Sequence, residues 1–154
     1  DFNLDTKQVH AAYKDYEEGM AAAKQLGKPV MIDFTGFGCV NCRKMEASVW
    51  TDPQVATKLT NDYVLISLFV DDKTPLKEPI VVTENGQERK LRTIGDKWSY
   101  LQRVKFGSNT QPQYVGLDHN GQPITGSYSY KEDIPAYLVF LDKGLETFRK
   151  AQQK

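Results

Sequence analysis

The two cysteines of the chain, Cys39 and Cys42, both lie in the stretch MIDFTGFGCVNCRKME, residues 31–46. Cysteines three apart at the start of a helix can bring their sulfurs close enough to bond, with the first exposed and the second turned inward. That arrangement suits reversible thiol–disulfide exchange. At a helix N-terminus, unpaired backbone N–H groups and the macrodipole favour a thiolate, the attacking species in such exchange. Cys39 is therefore expected to be the nucleophile. Cys42, one turn inward, is expected to resolve the mixed disulfide and release product. Two other uses of the pair are weaker. A tetrahedral zinc site needs four ligands, and beyond the cysteines the chain offers only His10 and His119, which lack useful spacing and are expected at the surface. A purely structural disulfide across so short a loop would remove little unfolded-state entropy. The exchange reading needs no separate cofactor and no metal.

Two carboxylates accompany the pair. Asp33 sits six residues before Cys39 in an otherwise apolar run, where an ionised carboxylate is costly. Buried near Cys42, it would have a raised pKa and could pass a proton to or from the resolving thiol; the alternative is a strand-end aspartate bonded to backbone. Glu46 follows Cys42 by four residues and shares its side of the helix. Its charge would oppose thiolate formation, so proton transfer can be shared between the two acids; the alternative is a solvated helix residue. Arg43 and Lys44 are expected to face water.

The elements that must position these residues follow from patterning. From Asp5 to Leu26, the residues Val9, Tyr13, Tyr16, Met20 and Ala23 recur at alternating four and three spacing, predicting a helix stopped by Gly27. VMIDFT then reads as a buried strand, and the glycines of TGFG break it, so the cysteines stand where a helix begins. Asp52-Pro53 reads as an N-cap with proline at the first helical position. YVLISLFV, residues 63–70, is nearly continuously apolar, as a central strand covered on both faces would be, and is expected to run parallel to the first. Asn85-Gly86 marks a hairpin turn, and Ile94, Trp98, Leu101 and Val104 have helical spacing up to Gly107. PQYVGLD, the turn HNGQ and PITGSYS predict a second hairpin. Ile134, Leu138, Leu141, Leu145 and Phe148 form the apolar stripe of a closing helix. This order implies an α/β fold with a mixed sheet flanked by helices.

At 154 residues the chain fits one domain, 1–154, with a core that needs no staple. Twenty basic and twenty acidic residues leave a net charge of zero, so no strong field favours nucleic acid or anionic lipid. Nowhere do 18 consecutive apolar residues occur, so direct membrane insertion by this segment is not expected. The start at Asp1 rather than methionine leads us to expect a processed product or a domain excised from a larger protein, with any targeting segment outside the chain.

The Cys-x-x-Cys at a strand-to-helix junction, the aspartate six residues before it and a later X-Pro opening a strand resemble the thioredoxin fold. More closely, GKPVMIDFTGFGCVNCRKME followed by WTDPQVATKL resembles the C-terminal periplasmic thioredoxin-like domain of bacterial transmembrane thiol:disulfide interchange proteins of the DsbD type. The resemblance implies a periplasmic domain that takes electrons from a membrane-embedded donor domain of the same protein. It would pass them to oxidised periplasmic proteins, such as disulfide isomerases and cytochrome c maturation factors. Cys39 and Cys42 match the redox pair, Asp33 and Glu46 the paired acids, and Pro112 the cis-proline beside the active site. Gln111, just before it, falls where backbone groups pair with substrate, and Phe37, Gly38, Val40 and Asn41 border the pair. Two departures stand out. Gly38 replaces the tryptophan usual in thioredoxins, a wall that Phe37 can partly supply, and the segment 73–108 is longer than the usual link, either to shape partner choice or to pad one edge. Val40-Asn41 lacks the histidine or proline of strongly oxidising relatives, so a reductant is expected, nearer about −270 mV than about −120 mV. Competing readings are a free-standing thioredoxin-type reductase, a redox-inert peptide-binding module and a metal chaperone.

Overall fold

A computed structural model describes residues 8–153 of the chain. In chain order the elements are α1 (Tyr16–Leu26), β1 (Val30–Thr35), α2 (Val40–Ser48), α3 (Pro53–Thr57), β2 (Val64–Phe69), β3 (Pro75–Glu84), β4 (Gln87–Thr93), α4 (Ile94–Phe106), β5 (Gln113–Leu117) and α5 (Ile134–Gln152). A π-helical turn over Lys58–Asp62 extends α3 toward β2. β1 is the middle strand of the main sheet, with β2 parallel on one side and β5 antiparallel on the other. All six of its residues are buried, as a strand paired at both edges and covered on both faces requires. The fold is α/β and thioredoxin-like, a mixed sheet flanked by helices with an extra hairpin.

Alternation along β1 divides the core into two layers. Val30, Ile32 and Phe34 pack with Val64, Ile66, Leu68, Val115 and Leu117 toward Ala23 of α1 and Trp98 of α4. Met31, Leu65 and Tyr114 pack on the opposite face with Met45 of α2, Val55 of α3, and Tyr137, Leu141 and Leu145 of α5. Asp33 belongs by parity to the second face, the one that α2 covers.

Several expectations shift in three dimensions. The helix anticipated from Asp5 begins at Tyr16, with residues 5–7 outside the described part of the chain. Residues 12 and 13 instead pair with the outer edge of β2: Ala12 N donates to Leu65 O at 3.0 Å and Ser67 N to Tyr13 O at 3.0 Å. Asp15 then caps α1, its carboxylate accepting from Glu18 N at 2.9 Å. β2 is thus parallel to β1 as expected but lies beside it rather than at the centre, and this extra segment shields its outer edge. The return arm of the second hairpin is bridged to β5 only at Tyr114–Tyr128 and Leu117–Pro123. Thr125 Oγ1 accepts the Gly116 N–H at 2.8 Å, a side chain standing in for a ladder carbonyl. On α4 the buried face is Gly95, Trp98 and Gln102, while Val104 is exposed, because Gln102 turns inward to polar partners. His119 is half-buried, its Nε2 at 2.8 Å from Lys28 O and its ring edge-on to Phe148; His10 is exposed.

β3 and β4 form a separate two-stranded sheet closed by Asn85-Gly86, where both residues have positive φ (54° and 77°), the backbone a tight hairpin turn demands. Arg103 of α4 grips this hairpin through Glu84, Nε to Oε2 at 2.6 Å and a terminal nitrogen to Oε1 at 2.8 Å. α4 starts on a capping box between Thr93 and Asp96. Its second residue, Gly95, approaches the turn after β2 so closely that an added Cβ would lie 2.5 Å from Val70 O and 2.7 Å from Asp72 O. Since both are backbone atoms, Gly95→Ala is expected to destabilise the protein by about 1–3 kcal/mol, read as a lower midpoint in urea unfolding.

Candidate active site

β1 ends at Thr35, the chain crosses Gly36–Gly38, and α2 opens at Val40, so Cys39 occupies the N-cap of the helix. Its Sγ accepts a hydrogen bond from the Cys42 N–H at 3.1 Å, and its own N–H donates to Gly36 O at 3.3 Å. Cys39 and Cys42 form a disulfide. Cys39 is half-buried and Cys42 is 1% exposed, so an incoming sulfur has access to Cys39 alone. The backbone N–H aimed at Cys39 Sγ, together with the positive end of α2, is the environment that favours a thiolate at that position.

Asp33 is 2% exposed. Across the sheet it stands in register with Ser67 of β2 and Tyr114 of β5. Ser67 Oγ donates to Asp33 Oδ2 at 2.7 Å, so the partner of this carboxyl is a side chain rather than the backbone. Burial pushes Asp33 up to about 7; the Ser67 hydrogen bond opposes the rise, the charge of Glu46 adds to it and Arg43 subtracts. Glu46 is half-buried on α2. Burial raises its pKa as well, against the pull of Arg43, whose guanidinium donates to Glu46 Oε2 at 3.0 Å and to Thr35 Oγ1 at 3.0 Å. Arg43 is exposed as expected, yet it tethers the last residue of β1 to α2. Lys44 is exposed.

The second flank is the start of β5. The Gln111-Pro112 bond is cis, as the resemblance implied, and Pro112 is buried. Because Phe34 pairs with Gln113, Pro112 falls at the end of the sheet where β1 runs into the cysteine loop. The Gln111 side chain is turned to the scaffold, its Nε2 donating to Gln102 Oε1 at 2.9 Å and Asn109 O at 3.3 Å. Gln102 Nε2 in turn donates to Thr110 O at 2.8 Å and Gln113 Oε1 at 2.9 Å, and Gln113 Nε2 to Ser127 Oγ at 3.0 Å. This chain of amides ties the cis-proline loop to α4 and to the arm after β5. Of the remaining predicted residues, Phe37 is 58% and Val40 66% exposed, and Gly38 and Asn41 are exposed. Phe37 stacks on Phe69 at 4.2 Å between ring centroids, an apolar shelf beside Gly38.

The sequence reading missed three groups. Ser67, the partner of Asp33, is the single polar residue in YVLISLFV, and that interruption was the available signal. Tyr137, fully buried, accepts from Trp50 Nε1 at 3.2 Å and packs edge-on to Tyr114, walling the Asp33 side of the core; it lies outside the stripe read for α5. Asp71 binds the backbone of the cysteine loop, accepting from Phe37 N–H at 2.8 Å and Gly38 N–H at 3.0 Å. Nothing local in the sequence marks it. Among the described residues no helix is long and apolar enough to cross a membrane, and no three acidic, histidine or cysteine side chains are grouped to hold a metal ion.

Comparison with known proteins places this geometry. A family model described as thioredoxin-like matches residues 11–95, more than half of the chain. The thiol:disulfide interchange protein DsbD 1 of Pseudomonas aeruginosa is 31% identical over 92 residues, covering 57% of this chain and 15% of the relative's length. The chain therefore corresponds to a small part of that protein. Among solved structures, a thioredoxin from Thermus thermophilus superposes with a TM-score of 0.59 at 23% identity, over 85% of this chain and 84% of its own. The C-terminal domain of Neisseria meningitidis DsbD, in the reduced form, gives 0.57 at 14% identity, over 86% and 98%. With a disulfide at the mouth of α2, a cis-proline at the adjoining sheet end and a family match across β1, α2 and β2, the chain belongs to the thioredoxin-like family and is similar over part of its length to DsbD proteins.

Proposed function

We propose that this chain is a thiol:disulfide oxidoreductase working as a net reductase, and that 1–154 is one domain of a larger membrane protein, with 73–108 inserted in it. The observation that carries the reading is the Cys39–Cys42 disulfide on the N-cap of α2, its outer sulfur accessible and its inner one buried on the Asp33 side of the sheet. In the reduced domain the Cys39 thiolate attacks a substrate disulfide. A bond forms between Cys39 and one substrate sulfur, and the other leaves as a thiolate. Cys42 gives up its proton to a carboxylate, Asp33 with Glu46 sharing the load, and attacks Cys39 Sγ. The Cys39–Cys42 disulfide forms, the second substrate thiol departs, and two electrons have passed to the substrate. A donor dithiol then restores Cys39 and Cys42 by the same steps in reverse.

Asp33, held near 7, is matched to that proton transfer, because a group with a pKa close to ambient pH both accepts and returns a proton. Phe37, Gly38, Val40 and Asn41 form the rim that a partner protein touches, and the backbone at Gln111-Pro112 pairs with its extended chain. The relation to DsbD supports a periplasmic location, a membrane-embedded donor domain of the same protein, and recipients among oxidised periplasmic proteins such as disulfide isomerases and cytochrome c maturation factors.

Two measurements test this. Cys42→Ala should trap a mixed disulfide through Cys39, Cys39→Ala should trap none, and the wild type equilibrated with glutathione buffers should titrate reversibly nearer about −270 mV than about −120 mV; the lack of any reversible couple would sink the reading. The second concerns Asp33. In the unfolded chain it ionises near 3.8, while in the native protein it keeps its proton to about 7, so the native state binds one more proton across that window. The contribution of Asp33 to stability should fall by about 1.4 kcal/mol per pH unit over the window and level off above it. Asp33→Asn removes that slope, so urea midpoints of the oxidised variant should gain on wild type from pH 4 to 7 and then hold a constant lead. The same variant should alter the pH dependence of thiol alkylation in the reduced protein.

A further inference from the structure

We propose that Asp71 is a positioning residue for Cys39: its carboxylate fixes the loop that carries the attacking sulfur and sets a standing negative charge against the thiolate. The inference rests on the reading of Cys39 as that sulfur. Both carboxylate oxygens are used, Oδ1 accepting from Phe37 N–H at 2.8 Å and Oδ2 from Gly38 N–H at 3.0 Å, so two successive backbone donors are held by one side chain. The carboxylate fills the cup of the loop. A Cβ added to Gly36 would stand 3.1 Å from Asp71 Oδ2, and one added to Gly38, the residue before Cys39, 3.8 Å.

Asp71 is itself held from two sides. On the strand side Val70 N donates to Thr35 O at 3.0 Å and Asp72 N to Phe69 O at 3.2 Å. On the α4 side Gly95 N donates to Asp72 O at 2.8 Å and Ile94 N to Thr74 O at 2.9 Å, through the close approach that only glycine permits at position 95. The segment 73–108 thereby reaches the redox loop, through the 70–72 turn and its carboxylate. This connection gives the segment a role other than padding.

The charge has a consequence of its own. Burial works against ionisation of Asp71, but the Gly38 and Phe37 N–H groups, with Arg43 nearby, outweigh it and hold the carboxyl below its usual range. The carboxylate is therefore charged at neutral pH. The other charged groups around the loop are Arg43 and Glu46 on α2, Asp33 on β1, and Lys14, whose ammonium lies over the Phe69 ring at 5.4 Å. Asp71 is the acid bound to the loop backbone itself. It opposes the N-terminal dipole of α2, keeping the Cys39 thiolate less stabilised than the helix alone would make it, in the direction of a reductant.

The test is the alkylation of Cys39 by iodoacetamide against pH in the reduced protein, read by peptide mass spectrometry for wild type, Asp71→Asn and Asp71→Glu. Asp71→Asn should lower the midpoint pH and raise the rate at pH 7 by about threefold, a gap that closes in about 1 M salt because the charge is exposed. Asp71→Glu, which keeps the charge, should stay with wild type. An Asn profile that coincides with wild type, or a Glu profile that coincides with a shifted Asn profile, overturns the proposal. Any reduced thiol can be alkylated, so this readout is independent of reductase activity. Loss of mixed-disulfide trapping through Cys39 would fail the functional reading, whereas normal trapping with an unmoved midpoint fails the role of Asp71 alone.

Discussion

β1 is the constraint on which the rest of the structure depends. It is hydrogen-bonded along both edges and covered on both faces, so all six of its residues are buried and its register has no freedom to slip. A shift of one residue would carry Asp33 from the α2 side of the sheet into the apolar layer beneath α1 and α4, leaving a carboxyl there among Ile66, Leu68 and Trp98. With the register set, Ser67 and Tyr114 stand on either side of Asp33. The strand then delivers the chain at Thr35 to the loop that ends on Cys39. The parallel neighbour β2 finishes at the same end, bringing Phe69 beneath Phe37 and Asp71 beneath the loop. The antiparallel neighbour β5 starts there, bringing Pro112.

Two aspartates serve this loop from opposite directions, and their environments drive them apart. Asp33 has one hydroxyl donor and a low-dielectric surround, so burial dominates and the proton stays on up to about pH 7. Asp71 lies at the surface with two backbone N–H donors, so hydrogen bonding to the charged form dominates and the proton leaves early. The same side chain thus keeps its proton to near-neutral pH in one place and gives it up early in the other. On the cis-proline side, the neutral amide chain Gln111–Gln102–Gln113–Ser127 holds the loop without adding charge near the sulfurs.

Much of this was legible in the residues. The cysteine pair at a strand-to-helix junction, the caps at Asp52 and Gly27, the Asn85-Gly86 turn and the stripe of α5 all appear where patterning put them. The misreadings share a cause. Val9 and Tyr13 have helical spacing, but the backbone at Ala12 and Tyr13 found better partners in the exposed edge of β2, which spacing cannot register. Val104 fits the apolar period of α4, yet Gln102 is the residue buried, because three polar partners from other elements receive it. The arm after β5 has strand-like residues but only two bridges, since Thr125 replaces a ladder bond with its hydroxyl.

The sequence by itself determined whatever is settled within about one helical turn or one hairpin: where the strand breaks, which cysteine caps α2, which turn closes β3 onto β4. Those choices depend on atoms a few residues apart. Only the tertiary structure decided how the candidate site is tuned. The hydroxyl that meets Asp33 comes from 34 positions away, and the carboxylate that grips Phe37 and Gly38 from 34 and 33 positions away. Proton affinity depends on desolvation and on donors within hydrogen-bond reach. Both are properties of the packed sheet end, to which β1, β2, β5 and α2 all contribute and which no single stretch of the chain contains.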